Sequence, residues 1–264
     1  LGFTAPRALE GRRCLQLTRA SEKGWDSTME EALIKRFAKW YSATPLLIQI
    51  EIPRHIEWGI VKAVRREVHI FCDAAIPGFG VVGYWLVEDE DGTIRVTILC
   101  AKAHVVPLDA SKASHHNSVP RLEMTAAEKA VKLKLFIKRT IPKVTEDMVT
   151  LWSDSEAVLK MIFDHKSKRP SFFANRLSKI HSGSSDSQWR WVDSESNPAD
   201  YCSRGIDAGD KEKWDIFHFG PKFLYLPKSE WPVMNIATAP EASINAVATE
   251  TVEEKEGEKE RRKE

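Results

Sequence analysis

The chain has 264 residues, of which 42% are hydrophobic and nine are Trp, and its formal net charge is +1. That is enough apolar material for a real core, and too even a balance of charge for a polycation that binds nucleic acid wholesale. Four scattered cysteines (Cys14, Cys72, Cys100, Cys202) with no CxxC pair argue against a zinc ribbon or a disulfide framework, and no apolar run approaches the ~18 residues of a membrane span.

Charge is uneven along the chain. Residues 236–264 hold eight acidic and five basic side chains, which leaves 34 basic and 30 acidic ones in 1–235. A modestly basic body is compatible with a phosphate-backbone partner. The chain begins at Leu1 rather than Met, as expected of a piece of a longer protein.

In chain order, "STMEEALIKRFAKWYS" (27–42) places Leu33, Phe37 and Trp40 at helical spacing, and "PLLIQIEIP" (45–53) alternates as an extended segment does. "EVHIFCDA" reads as a strand. "FGVVGYWLVEDEDGTIRVTILCAKA" reads as two longer strands turning around "EDG", hence an antiparallel pair. A helix is expected over 119–142, opening at Pro120. "DMVTLWSDSEAVLKMIF" gives a short strand closing at Asp154 and then a helix. "SFFANRLSKIHS" suggests another helix, "SQWRWVDSE" a short strand and "NPADYCSRG" a last helical turn. Three hairpin-linked strands followed by strand–helix alternation predict an α/β fold, a five-stranded mixed sheet flanked by helices. The end, "ETVEEKEGEKERRKE", has no apolar stripe and reads as a disordered tail.

Four acids stand at special places in this order. Asp73 closes the first strand, Glu123 lies one turn into the first long helix, Asp154 closes the fourth strand and Asp200 opens the last helix. Each has an ordinary use as well: a turn cap, a first-turn helix acid, an N-cap, a helix-start acid. Met together in one cleft, the four would repel one another unless a cation compensated. Oxygen-only ligands favour Mg²⁺ or Mn²⁺, and two such ions serve phosphodiester hydrolysis.

The motifs "HIFCDAAIPGFG", "LCAKAHVVPL", "SVPRLEMTAA", "LWSDSEAVL", "FFANRLSKI", "NPADYCSRG" and "GPKFLYLPKSEWP" resemble, in order, the ribonuclease H region of BEL/Pao-type LTR retrotransposon polyproteins. "LGFTAP", "GWD" and "IEIPRHI" are similar to the connecting segment after the reverse transcriptase. The resemblance implies a mainly helical connecting segment over 1–66, a ribonuclease H-like domain over 67–207, a C-terminal extension over 208–235 and the tail over 236–264. It also implies that Asp73, Glu123, Asp154 and Asp200 bind two Mg²⁺ (or Mn²⁺) and cut the RNA strand of an RNA–DNA hybrid. The implied partners are that hybrid and the reverse transcriptase and integrase portions of a parent polyprotein, with no membrane. The implied setting is intracellular, in a cytoplasmic virus-like particle or the nucleus.

Departures from the family pattern are local. Trp191 and Asp193 stand where relatives carry His and Pro, and no His precedes Asp200, so a His-assisted product release is not expected. His115 and His116 read as an exposed loop pair. Substrate contacts are expected from Gly78 and Gly80, Arg121, Ser155, Asn197 and Arg204, and the lysines of the long helix (Lys129, Lys132, Lys134, Lys138) read as a solvated face. Trp152, Trp189 and Trp191 read as core. An integrase core would need Glu near position 189, which is Trp. The rival to an active enzyme is a retroelement relic that keeps only binding or protein interaction.

Overall fold

The computed structural model describes residues 2–21, 24, 26–108 and 118–234. The His115/His116 pair and the charged tail lie outside the described residues. Strands β1 (Ala63–Ala74), β2 (Gly78–Asp89) and β3 (Ile94–Val105) form an antiparallel meander. Strands β4 (Val149–Ser153) and β5 (Trp189–Trp191) then add in parallel, for a sheet order β3-β2-β1-β4-β5. A parallel neighbour for β1 demands a crossover, supplied by the long helix α3 (Val119–Thr140).

Helices on both faces explain why β1 reads as a continuous apolar run rather than an alternation. Val68, Ile70 and Cys72 point to a core built with α3, α4 (Glu156–Phe163) and α5 (Ser171–Gly183). Phe71 points to the opposite core, with α1 (Ala5–Ala20), α6 (Asp200–Arg204) and α7 (Lys211–Phe219). All four cysteines are free and buried, and Trp152 and Trp189 are core residues as expected. Among the described residues no helix is long and apolar enough to cross a membrane.

The structure corrects several expectations. Thr44–Gln49 is a 3-10 helix that continues α2 (Glu31–Ala43), not an extended segment. Pro45 in its first turn suits helical entry, and the alternating stretch pairs with no strand of the sheet. The helix at Asp200 is not the last, because α7 follows. Residues on either side of the sheet domain pack into its core: Ala5 and Leu9 from one end, and Trp214, Phe217, Phe223 and Leu224 from the other, lie with Phe71 and Tyr84. Tyr84 Oη also donates to the Phe217 carbonyl at 2.8 Å. Helix α1 carries so many polar residues that its apolar stripe is faint, yet Ala5, Leu9 and Cys14 are buried. Lys134 is not on a solvated face. It is buried, and its Nζ donates to the Gly183 carbonyl (2.8 Å) and Gln188 Oε1 (2.7 Å) and pairs with Glu146 (2.5 Å), pinning α3 to the turn before β5.

Candidate active site

Parallel pairing sets Cys72 of β1 opposite Ser153 of β4, so Asp73 and Asp154 follow side by side at the carboxyl ends of adjacent strands. Neighbouring strands lie about 4.8 Å apart, and this edge is where open α/β sheets form their crevices. Glu123 reaches the same edge from the first turns of α3, and Asp200 from the first position of α6. Their charges act on one another: Asp154 and Asp200 on Asp73, Asp154 and Asp73 on Glu123, Asp200 on Asp154. The fold thus gathers all four acids, although no three of them hold ligand oxygens within 4.8 Å of one another.

Three serines brace the cluster. Ser155 Oγ donates to Glu123 Oε2 at 2.7 Å, Ser194 Oγ donates to Asp154 Oδ2 at 2.8 Å, and Ser203 Oγ donates to Asp73 Oδ2. The N-cap of α4 is Ser155, whose Oγ accepts from Val158 N, so Asp154 has no capping role. Arg204 Nε donates to Asp200 Oδ1 one helical turn away.

Burial is the largest cause of the acids' altered titration, and neighbouring negative charge adds to it. Asp73 is pushed up to about 6 and Glu123 to about 7; Asp154 is raised as well. Hydrogen bonds from Ser203, Ser155 and Ser194 work against each rise. A crowded all-oxygen set that cannot comfortably carry its own charge fits a hard divalent cation.

A stability effect follows from these shifts. Between the ordinary carboxylate range and about pH 7 the folded chain holds more protons on Asp73 and Glu123 than the unfolded chain does, so this contribution falls as pH rises. Buried His69 and His218 and half-buried His104, held low mainly by desolvation, act in the opposite sense. The acids are therefore read as a difference from the Asp73→Asn, Glu123→Gln double variant. Its stability advantage in chelator should grow by about 4 kcal/mol from pH 5 to pH 8, measured by urea unfolding, and shrink in excess Mg²⁺. An advantage that is constant or falls with pH contradicts the assignment.

Most of the expected substrate contacts lie beneath the cleft. A Cβ on Gly80 would come 2.2 Å from Cys202 Cβ, and one on Gly78 2.8 Å from Leu9 Cδ1, so these buried glycines admit α6 and α1 rather than a ligand. Arg121 is buried, with its guanidinium 4.5 Å from the Phe172 ring centroid. Ser155 is committed to Glu123 and the α4 cap. Asn197 is buried: its Nδ2 donates to the Cys72 carbonyl (3.1 Å) and its Oδ1 accepts from Ala199 N (3.1 Å), which ties the Asp200 segment to β1. Arg204 alone of the six presents an exposed side chain. Ser194 and Ser203 escaped sequence reasoning, since nothing in "SES" or "CSR" marks a hydroxyl that will meet a distant carboxylate.

Residues 1–155 match the family described as the Pao retrotransposon-like RNaseH-like domain. The matched stretch contains Asp73, Glu123 and Asp154, and Asp200 lies beyond it. Similar solved structures include the N-terminal RNase H domain of a Mycobacterium tuberculosis protein fused to maltose-binding protein (13% identity, TM-score 0.35, 58% of this chain and 96% of that one). Another is a ribonuclease H from the halophilic archaeon Halobacterium salinarum (15% identity, TM-score 0.32, 57% of this chain and 98% of that one). No curated protein matches the chain.

Proposed function

The chain belongs to the family of Pao retrotransposon-like RNaseH-like domains and has a ribonuclease H-like fold, and from that premise we propose that it hydrolyses the RNA strand of RNA–DNA hybrids internally, as the ribonuclease H step of reverse transcription. The observation that carries the reading is the meeting of Asp73, Glu123, Asp154 and Asp200 at one sheet edge, with the charge of each felt by another.

In this reading the four carboxylates hold two Mg²⁺ ions, with Mn²⁺ as a substitute. Bound there, such ions activate water and stabilise the leaving oxygen of an in-line phosphodiester displacement. The chain's own residues prepare the site. Ser155, Ser194 and Ser203 each occupy one carboxylate oxygen, which fixes the side chain and leaves the partner oxygen for a cation. Asn197 holds the Asp200 segment against β1. The exposed guanidinium of Arg204, paired with Asp200 at the rim, offers a phosphate-binding group. A hybrid is recognised by shape, phosphates and 2′-hydroxyls rather than by its sequence. The reverse transcriptase and integrase portions of a parent polyprotein are the proposed partners.

The test uses an RNA–DNA duplex labelled on either strand. Internal cuts confined to the RNA strand, present with Mg²⁺ and absent in chelator, are expected. Cleavage that persists in chelator overturns the metal mechanism, and an intact hybrid with Mg²⁺ favours the binding-only relic.

A further inference from the structure

A second constellation of metal-ligating side chains lies away from the carboxylate cleft. His165 follows α4, His181 sits in the last turn of α5, and Asp186 opens the 3-10 turn that leads into β5. One ligand atom from each falls within 4.8 Å of the others, the single such set of three or more among the described residues. His165 Nε2 is 2.8 Å from Asp186 Oδ2, and the two imidazole centroids are 4.4 Å apart. We propose that His165, His181 and Asp186 form a zinc-binding site, with water completing the coordination.

Three points carry this beyond proximity. Two imidazole nitrogens and one carboxylate oxygen make a borderline donor set that suits Zn²⁺, whereas the all-oxygen cleft suits Mg²⁺, so the two sites select different ions. The second ring nitrogen of His181 is already engaged: Nε2 lies 2.9 Å from the Ile162 carbonyl and donates to it, which leaves the lone pair on Nδ1. Zinc-ligating histidines are oriented in this way, by an N–H held on a backbone carbonyl. The contact between His165 and Asp186 uses the same atoms that would bind the ion, so coordination replaces that hydrogen bond without moving either segment far.

The position suggests what the ion does. Helix α4 starts beside Asp154 and runs for eight residues, about 12 Å, before His165 is reached. Asp186 precedes β5, whereas Ser194, Asn197 and Asp200 follow it. The zinc site thus stands at the far end of the same elements and ties the ends of α4 and α5 to the lead-in of β5. It clamps the scaffold from behind the cleft and touches none of the four acids. The proposal therefore stands whether or not the chain cleaves hybrids.

The test is calorimetric titration of the chelator-stripped full chain with ZnCl₂ in saturating Mg²⁺, which keeps the carboxylate cleft occupied. One zinc per chain is expected for wild type and for Asp154→Asn. A loss of at least about tenfold in affinity is expected for His181→Gln and for Asp186→Asn, with unchanged far-UV circular dichroism. A readout free of variants is the proton spectrum of the Co²⁺-loaded wild type, where a shifted imidazole N–H from His181 should appear. No zinc uptake by wild type overturns the site. So does wild-type affinity in both variants, loss of binding in Asp154→Asn, or a cobalt spectrum without imidazole signals.

Discussion

Asp154→Asn is expected to reduce Mg²⁺-dependent cleavage of the RNA strand by at least about a hundredfold, because a carboxylate ligand is lost and an amide oxygen is a weak substitute for it. The same change should not unfold the chain. Asp154 does not cap α4, since Ser155 does, and an Asn side chain still offers Ser194 Oγ an acceptor. It also removes a negative charge that Asp73 and Glu123 both feel, so thermal stability in chelator should equal or exceed that of wild type. Loss of activity with retained or improved stability is the signature of a site residue; loss of both would be that of a structural one. Rates on a labelled hybrid, paired with melting curves in chelator, separate the two. An unchanged rate in Asp154→Asn would remove the acid from the mechanism.

Gly80→Ala is expected to cost about 3 kcal/mol or more, a fall of roughly 10 °C in Tm for a domain of this size. The added methyl would lie 2.2 Å from Cys202 Cβ and 2.8 Å from the Lys102 carbonyl, and neither atom can swing aside as the end of a flexible side chain can. Gly80 pairs with Asp73 across β1 and β2, and Cys202 belongs to the helix that carries Asp200 and Ser203. Pushing α6 away therefore also breaks the Ser203–Asp73 hydrogen bond and displaces Asp200, so cleavage should fall along with stability. Gly92→Ala is the comparison. That glycine has φ +83° and open space around it, so only the left-handed backbone resists a side chain, at about 1 kcal/mol. Denaturant unfolding of both variants decides the matter: a Gly80→Ala loss no larger than that of Gly92→Ala would mean that α6 does not press on β2 as described.

The elements of the sheet domain were legible because periodicity and punctuation are local. The run at β1, the "EDG" turn between β2 and β3 and Pro120 at the head of α3 each speak for themselves. The stretch at 45–53 misled because alternation is necessary for a half-buried strand but insufficient without a partner, and here the chain continued the helix before it. Lys134 misled because a lysine on a helix reads as solvated, and only the turn arriving from 183–188 buries it among acceptors. The glycines of "PGFG" were legible as a place of close approach; what approaches, an α6 cysteine rather than a nucleic acid, was not.

By itself, then, the sequence determined which residues of the sheet domain lie on strands and helices and which acids end up at strand ends and helix starts, since hydrophobic periodicity and breaker residues act over a few positions. The tertiary structure alone decided which hydroxyls brace those acids, which expected substrate contacts sink beneath the cleft, and that His165, His181 and Asp186 meet at all. Those outcomes depend on segments up to 130 residues apart, such as Ser203 and Asp73, being packed to within hydrogen-bond reach, and no local pattern encodes a distance of that kind.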